Sequence, residues 1–397
     1  MTIVTPSKRF QVVSLLARDY SKRIDKEATM EINTPIISAD SHIQEPPELY
    51  EERLPKEYRH LTPRTITSED GGVYRIIDGK RARRVDIAQS RETQDDQQRE
   101  FRNDPSGGRD ISRRLTDQTL DGICAEIVYP NQSLFLYNSP DPKYQSALAS
   151  AYNNWLWELL AEHPDRFVPV AIVPVADLDS AIREVTKISK LGYRALKIPI
   201  TMTERPYNDP VYENFWSICE EAGLVVSFHA FSNSIDQYPD DWGEEQGTGG
   251  ALSLMAMSMI DGMNPVTLLI SGGVLMRFPS LRFVVVECGA GWLAWLLYML
   301  DEQYGKKHMW IRPQLDQRPS DYFRRQGFVT FSDDPVALRC LSFTGSSGLL
   351  WGSDYPHDEG TFPNSRNVIE RTFQGVSDKD KKKITHDNAA RLYGLSN

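Results

Sequence analysis

The sequence predicts an α/β protein, a (β/α)8 barrel with an insertion after its first strand. Eight short runs rich in apolar and β-branched residues alternate with helical stretches from residue 36 onward. Most of these runs are almost continuously apolar, which is typical of parallel strands that are covered on both faces. A doubly wound sheet shares this alternation and is the competing architecture.

The strands and helices follow one another in regular order. The helical stretch 209 to 223 opens on Asp-Pro and ends at glycine, and 176 to 192 has the same start and stop signals. The predicted strands are 36 to 40 (IISAD), 123 to 129 (ICAEIVY), 167 to 173 (FVPVAIV), 194 to 198 (RALKI), 224 to 229 (LVVSFH), 282 to 287 (RFVVVE), 328 to 332 (FVTFS) and 349 to 354 (LLWGSD).

Residues 61 to 116 interrupt this order. A crossover helix is expected there, but residues 69 to 80 (EDGGVYRIIDGK) predict a hairpin, and residues 91 to 110 are polar and loop-like. We interpret the segment as an insertion, which forms either a lid at the catalytic face or a surface excursion without such a role. Residues 1 to 33 are predicted to be an N-terminal leader or helix, which leaves 34 to 397 as the barrel domain.

Composition excludes several classes of function. The chain of 397 residues has a net charge of −10 and no basic block, which disfavours a nucleic-acid partner. Its apolar runs are all shorter than the roughly 20 residues of a membrane span. The four cysteines have no paired spacing, so we expect reduced thiols in a cytoplasmic protein. A small-molecule substrate is the expected partner.

Side chains that can bind a metal stand at the ends of several predicted strands. Asp40 and His42 end strand one, His229 ends strand five and Asp354 ends strand eight. All carboxyl ends of the strands in a parallel barrel open at one mouth, so these side chains are expected to meet there. Asp40 and His42 are two residues apart and point to the same side of an extended strand. Two imidazoles and two carboxylates suit Zn²⁺ most, and Mn²⁺ or Fe²⁺ as well.

Four further residues are candidates for contact with a substrate. Glu287 ends strand six and is predicted to be catalytic, binding substrate or relaying a proton, although a salt bridge or a cap beneath Trp292 also explains it. Lys197, at the end of strand four, suits an anionic or carbonyl group or an ordinary ion pair. His357 follows Asp354 by three residues and faces either substrate or solvent. Trp292 fits a planar or apolar substrate, but aromatic side chains are more often part of a core.

At these residues the chain resembles the amidohydrolase superfamily, specifically the amidohydrolase-2 branch that includes aminocarboxymuconate semialdehyde decarboxylase-like enzymes. The resemblance implies a distorted (β/α)8 TIM barrel that binds one divalent metal ion. It also implies that Asp40, His42, His229 and Asp354 are the ligands. The matching segments are ADSHIQEP (39 to 46), EHPDRF (162 to 167), VSFHA (226 to 230), FPSLRFVVVECGAGWL (278 to 293) and GSDYPH (352 to 357).

Two enzymatic hypotheses follow. The first is a metal-dependent hydrolase of an ester, lactone or amide, in which Asp354 accepts a proton from a metal-activated water and later returns it. The alternative is a non-oxidative decarboxylase of an aromatic or enoic acid, in which Asp354 protonates carbon. Decarboxylases of this branch carry a histidine where this chain has Glu287, and an arginine where it has Met299, which favours hydrolysis. A barrel that keeps the ligands only for stability is a third reading.

The apolar segment 291 to 300 (GWLAWLLYML) is more hydrophobic than a one-sided surface helix requires. It predicts either complete burial or a contact between subunits of a homo-oligomer.

Overall fold

The computed structural model describes residues 35–46, 48–62, 64–68, 73–77, 80–84, 105–131, 133, 137, 139, 141–201, 205–232, 250–357 and 359–395. The predicted N-terminal leader, 1 to 33, lies outside these residues, as does the greater part of the polar stretch 91 to 110.

Eight parallel strands form the central sheet, and the predicted barrel class is confirmed. Their order is β1-β5-β6-β7-β8-β9-β10-β11, so each strand pairs with its neighbour in sequence among the barrel strands. The strands in chain order are β1 (Ile36–Ile43), β2 (Arg64–Thr67), β3 (Val73–Ile77), β4 (Lys80–Arg84), β5 (Ile123–Pro130), β6 (Phe167–Ile172), β7 (Ala195–Pro199), β8 (Val225–His229), β9 (Arg282–Val286), β10 (Gly327–Phe331) and β11 (Leu349–Trp351).

The helices cover this sheet. Asp177 caps the helix that begins at Leu178, and Gly192 ends it with a φ of 104°, as the start and stop signals predict. The helices are α1 (Glu48–Arg53), α2 (Ile111–Asp121), α3 (Pro142–Leu160), α4 (Leu178–Leu191), α5 (Glu213–Glu221), α6 (Gly250–Ile260), α7 (Met263–Ser271), α8 (Val274–Arg277), α9 (Leu293–Lys307), α10 (Pro319–Gln326), α11 (Pro335–Arg339), α12 (Leu341–Thr344), α13 (Ser365–Thr372), α14 (Asp378–Lys382) and α15 (Asn388–Tyr393).

The barrel interior is filled by apolar side chains, and the last helix closes one end of it. Inward-facing valines such as Val170 and Val284 pack in the same buried cluster as Ala390 and Tyr393 of α15. Burial of this much apolar surface is the main stabilising term of the fold. The polar residues of the site lie beyond this layer, at the carboxyl ends of the strands.

The predicted insertion, 61 to 116, contains a second, smaller sheet. Strands β2, β3 and β4 pair antiparallel within it. The hairpin predicted over residues 69 to 80 overlaps the pair β3 and β4, and β2 was not predicted. The last residues of the predicted insertion belong to α2, which leads into β5. Whether the insertion acts as a lid stays a prediction.

Helix α9 carries the apolar segment that predicts burial or a subunit contact. Leu293, Leu296 and Leu297 are buried, whereas Trp295 is 58% exposed and Tyr298 is 59% exposed. The helix is therefore not wholly buried within one chain, and the subunit contact stays a prediction. Among the described residues, none of the helices combines the length and apolar character that crossing a membrane requires.

The barrel closes where β1 meets the chain that follows β11. The backbone N–H of Asp354 donates to the carbonyl oxygen of Asp40 at 2.9 Å, and the N–H of His42 donates to that of Tyr355 at 2.6 Å. Gly352 lies against this seam, and a Cβ added to it would stand 2.5 Å from the Cβ of Asp40. Only glycine allows the two chain segments to approach this closely.

Replacing Gly352 with alanine is expected to destabilise the protein by about 1–3 kcal/mol, because the added methyl group overpacks the seam. Urea unfolding of the variant and the wild type measures this difference. Gly305→Ala is the matched control, because nothing lies within 4 Å of its added Cβ. The control is expected to be neutral or stabilising by up to about 1 kcal/mol. Equal stability of both variants would contradict the packing argument.

Candidate metal centre

A β-bulge in β1 turns two polar side chains into the barrel. Ser38 pairs with Glu126 of β5 and Ser41 pairs with Val128, so β1 has one residue more than its partner in this interval. A bulge changes which face the following residues occupy. The extra residue places His42 opposite the inward-facing Tyr129, and Asp40, two residues earlier, shares that side.

The two imidazoles face the same point with their Nε2 atoms. Nδ1 of His42 donates to the carbonyl oxygen of Pro130 at 2.8 Å, and Nδ1 of His229 donates to that of Ala230 at 3.0 Å. Because a carbonyl oxygen only accepts, each Nδ1 carries the proton and each Nε2 presents a lone pair when the ring is neutral. Burial lowers the pKa of His42 well below its usual value, which keeps that ring neutral. The ring of His42 therefore presents the form that ligates metal ions, and the Nδ1 bond of His229 leaves its Nε2 facing the same point.

Three carboxylates surround these nitrogens. Oδ1 of Asp40 lies 3.7 Å from Nε2 of His42 and 3.6 Å from Nε2 of His229. Oδ1 of Asp354 lies 3.4 Å from Nε2 of His42. Oε2 of Glu287 lies 3.8 Å and 3.4 Å from the Nε2 atoms of His42 and His229. The structure thus brings together the four predicted metal ligands and the residue predicted to be catalytic.

The atoms at the centre of this group lack ordinary partners. Among the described residues, Oδ1 of Asp40 and the Nε2 atoms of His42 and His229 are buried without a hydrogen bond. Buried polar atoms are almost always paired, so three unpaired ones within 4.8 Å of one another indicate a site that binds a ligand. Nitrogen and carboxylate oxygen donors at this spacing fit a divalent metal ion.

The carboxylates also repel one another. Burial raises the pKa of Asp354 to about 6, and the charge of Asp40 adds to this effect. Burial raises the pKa of Glu287 well above its usual value, and the charges of Asp354 and Asp40 raise it further. Like charges in a desolvated site favour protonation unless a cation offsets them. A divalent ion at this point therefore relieves the repulsion.

Two of the acidic residues have an unusual backbone conformation. Glu287 and Asp354 both have a φ of 58°, in the left-handed region that residues other than glycine rarely occupy. The N–H of Glu287 donates to Oγ1 of Thr330 at 3.0 Å, and the carboxylate of Asp334 accepts from Ala290 and Gly291 at 2.8 Å each. These bonds from the next strand and its loop hold the turn that carries Glu287.

A buried charged network supports β1 from outside the barrel. Nε of Arg114 donates to Oε2 of Glu126 at 2.6 Å, and its Nη1 donates to the carbonyl oxygen of His42 at 2.7 Å. Ser41 donates to the other oxygen of Glu126 at 3.3 Å. Sequence reasoning missed these residues and Thr330. A lone acid within the apolar run ICAEIVY was the one signal that pointed to Glu126.

His357 lies at the edge of the group. Its Nδ1 contacts Oδ1 of Asp354 at 2.8 Å, its ring stacks on His42 with centroids 4.1 Å apart, and 20% of its side chain is exposed. Burial opposes its charge, but the Asp354 carboxylate raises the pKa of His357 to about 9. An imidazolium therefore faces the mouth of the site at neutral pH.

The other two candidates for substrate contact are placed differently. Trp292 is half-buried, and its indole N–H donates to the carbonyl oxygen of Cys288 at 2.9 Å, which closes the turn after Glu287. Lys197 is fully buried, and its Nζ lies 4.4 Å from the ring centroid of Tyr137. Burial lowers the pKa of Lys197 well below its usual value. Within the described chain its amine has no hydrogen-bond partner. Their roles toward substrate stay predictions.

Relatives and solved structures of other proteins resemble this chain. A 2-amino-3-carboxymuconate-6-semialdehyde decarboxylase of Dictyostelium discoideum is 22% identical over 298 residues, which cover 74% of this chain and 79% of that protein. Among solved structures, an amidohydrolase of Mycobacterium avium subsp. paratuberculosis K-10 has a TM-score of 0.75 at 20% identity, covering 92% of this chain and 99% of that chain.

A second solved structure contains a metal. The dihydroxybenzoic acid decarboxylase of Polaromonas sp. JS666, with bound manganese and the inhibitor 2-nitroresorcinol, has a TM-score of 0.62 at 18% identity. The likeness covers 91% of this chain and 97% of that chain, and at such identity it shows the fold. The model of the amidohydrolase family Amidohydro_2 matches residues 115–395. This match covers well over half of the chain, which therefore belongs to the amidohydrolase family.

Proposed function

We propose that this protein is a metal-dependent, non-oxidative decarboxylase of an aromatic or enoic acid. The observation that carries the proposal is the placement of the Asp354 carboxyl group, whose Oδ1 lies 3.4 Å from Nε2 of His42 and 2.8 Å from Nδ1 of His357. Decarboxylases among the relatives and solved structures support it better than they support the hydrolase hypothesis. The proposal therefore favours decarboxylation over hydrolysis, although Glu287 and Met299 stand where decarboxylases of this branch carry a histidine and an arginine.

Asp40, His42, His229 and Asp354 are the proposed metal ligands. A bound divalent ion would supply positive charge to the carboxylate of the substrate and to a neighbouring phenol or keto oxygen. Carboxylate oxygens in the donor set suit Mn²⁺, and the manganese in the Polaromonas structure supports this choice over the Zn²⁺ first expected.

Asp354 is the proposed proton donor. Its carboxyl proton passes to the carbon that bears the carboxylate of the substrate. The bond between this carbon and the carboxylate carbon then breaks. Its electron pair stays with the substrate, and the carboxylate leaves as CO₂. His357 touches Asp354 and is partly exposed, so it can return a proton to Asp354 from solvent.

Binding of the substrate carboxylate needs a cationic group. The arginine expected in the helix after strand six is replaced by Met299, and Asp301 nearby accepts from the N–H and hydroxyl of Ser320 at the start of α10. In our proposal, the imidazolium of His357 therefore binds the carboxylate of the substrate. Lys197 is a further candidate, and the face of Trp292 is proposed to flank a planar substrate.

Isotope labelling separates the two reactions. We expect an aromatic acid turned over in D₂O to give a product with one deuterium on the carbon that lost CO₂, because solvent protons refill Asp354. A hydrolase in H₂¹⁸O would instead place ¹⁸O in the product. Mass spectrometry of products from a panel of hydroxybenzoic and enoic acids, esters and lactones measures both. Incorporation of ¹⁸O without release of CO₂ would rule out the proposal.

Asp354→Asn is expected to lower kcat by at least about 100-fold, because the amide has no acidic proton to give. The dissociation constant of the substrate is expected to change far less. Steady-state kinetics and equilibrium binding with the metal-loaded variant measure both, and metal analysis confirms the loading. Near-normal turnover would contradict the proposed proton transfer.

His229→Ala is expected to lose most of the bound metal while the barrel still folds, because the ring leaves the site but the apolar interior is intact. Elemental analysis measures the stoichiometry, and circular dichroism checks the fold. His308→Ala is the matched control, because this histidine is exposed, bonds to the carbonyl oxygen of Gly305 and is not one of the proposed ligands. Unchanged stoichiometry in His229→Ala would refute the ligand assignment.

A further inference from the structure

Glu287 and Asp40 have equivalent positions relative to the two imidazoles. Oε2 of Glu287 lies 3.8 Å and 3.4 Å from the Nε2 atoms of His42 and His229, and the corresponding distances for Oδ1 of Asp40 are 3.7 Å and 3.6 Å. Neighbouring donor atoms that share one ion at about 2.1 Å are separated by about 3–4 Å. An oxygen of Glu287 therefore lies as close to the two imidazole nitrogens as an oxygen of Asp40 does.

We propose that Glu287 is a fifth ligand of the metal ion, beside Asp40, His42, His229 and Asp354. This inference rests on the proposal that the site binds a divalent ion, and it assigns Glu287 to the ion rather than to a proton relay.

The backbone around Glu287 supports a fixed role. A residue other than glycine in the left-handed region is held there by its surroundings, and such residues cluster at functional sites. Thr330 accepts the N–H of Glu287 at 3.0 Å and lies 3.5 Å from Oδ2 of Asp40 through the same hydroxyl oxygen. One side chain of β10 therefore contacts both the backbone of Glu287 and the carboxylate of Asp40.

A fifth ligand changes which ions the site prefers. Three carboxylates and two imidazoles suit an ion that accepts five or six hard donors, such as Mn²⁺. Zn²⁺ is satisfied by four ligands in a tetrahedral arrangement. Loss of Glu287 should therefore weaken binding of Mn²⁺ more than binding of Zn²⁺. Loss of a nearby but uncoordinated charge would weaken both ions alike.

The test is calorimetric titration of the metal-free wild type, Glu287→Gln and Glu359→Gln with Mn²⁺ and, separately, with Zn²⁺. Glu359→Gln is the comparison variant, because Glu359 is an exposed acid within 4.8 Å of Glu287 and Asp354, so its loss removes the same charge from the group. We expect Glu287→Gln to lose at least about tenfold in Mn²⁺ affinity and clearly less in Zn²⁺ affinity. The control is expected to keep the wild-type preference between the two ions.

Equal losses for both ions, or no loss, would overturn the proposal. A crystal structure of the wild type with Mn²⁺ tests it without a variant, in case Glu287→Gln does not fold. A Glu287 oxygen within about 2.3 Å of the ion supports the proposal, and a carboxylate outside coordination distance overturns it. These measurements use no substrate, so they decide the role of Glu287 separately from decarboxylation. Absence of any metal binding by the wild type would defeat both proposals.

Discussion

Repulsion among buried carboxylates at the mouth of the barrel is the constraint on which the site depends. Asp40, Glu287 and Asp354 all lie within 4 Å of an imidazole nitrogen, and burial raises the pKa of the last two. Such a group is tolerated in a desolvated place only if protons or a cation offset its charge. The surrounding bulge, strained turns and buried ion pair all hold these acids together.

The fold was largely predictable because its signals are local. Apolar β-branched runs and helix caps depend on neighbours in sequence, and every predicted strand overlaps an observed one. The predicted and observed ends of strands differ where tertiary contacts determine the end. β1 continues through His42 because residues 41 to 43 pair with β5, and β11 stops at Trp351 because the chain then turns toward Asp354.

The candidate site was predictable to the extent that strand ends share one face of a barrel. That rule brought His229 and Asp354 together from distant parts of the sequence. It could not show the bulge that turns His42 inward, since a bulge depends on the register with β5. It also missed Arg114 and Thr330, which act through contacts with the backbone or with other side chains. The residues at positions 287 and 299 favoured hydrolysis, whereas the relatives support the alternative hypothesis, decarboxylation.

The closing seam of the barrel has a consequence for biosynthesis. The first two side chains of the site leave the ribosome more than three hundred residues before Asp354, which joins them through the hydrogen bond between Asp354 and Asp40. A nascent chain therefore holds Asp40 and His42 without the partners that complete their surroundings. Capture of an ion by the whole group has to wait until Asp354 has been synthesised and has joined β1.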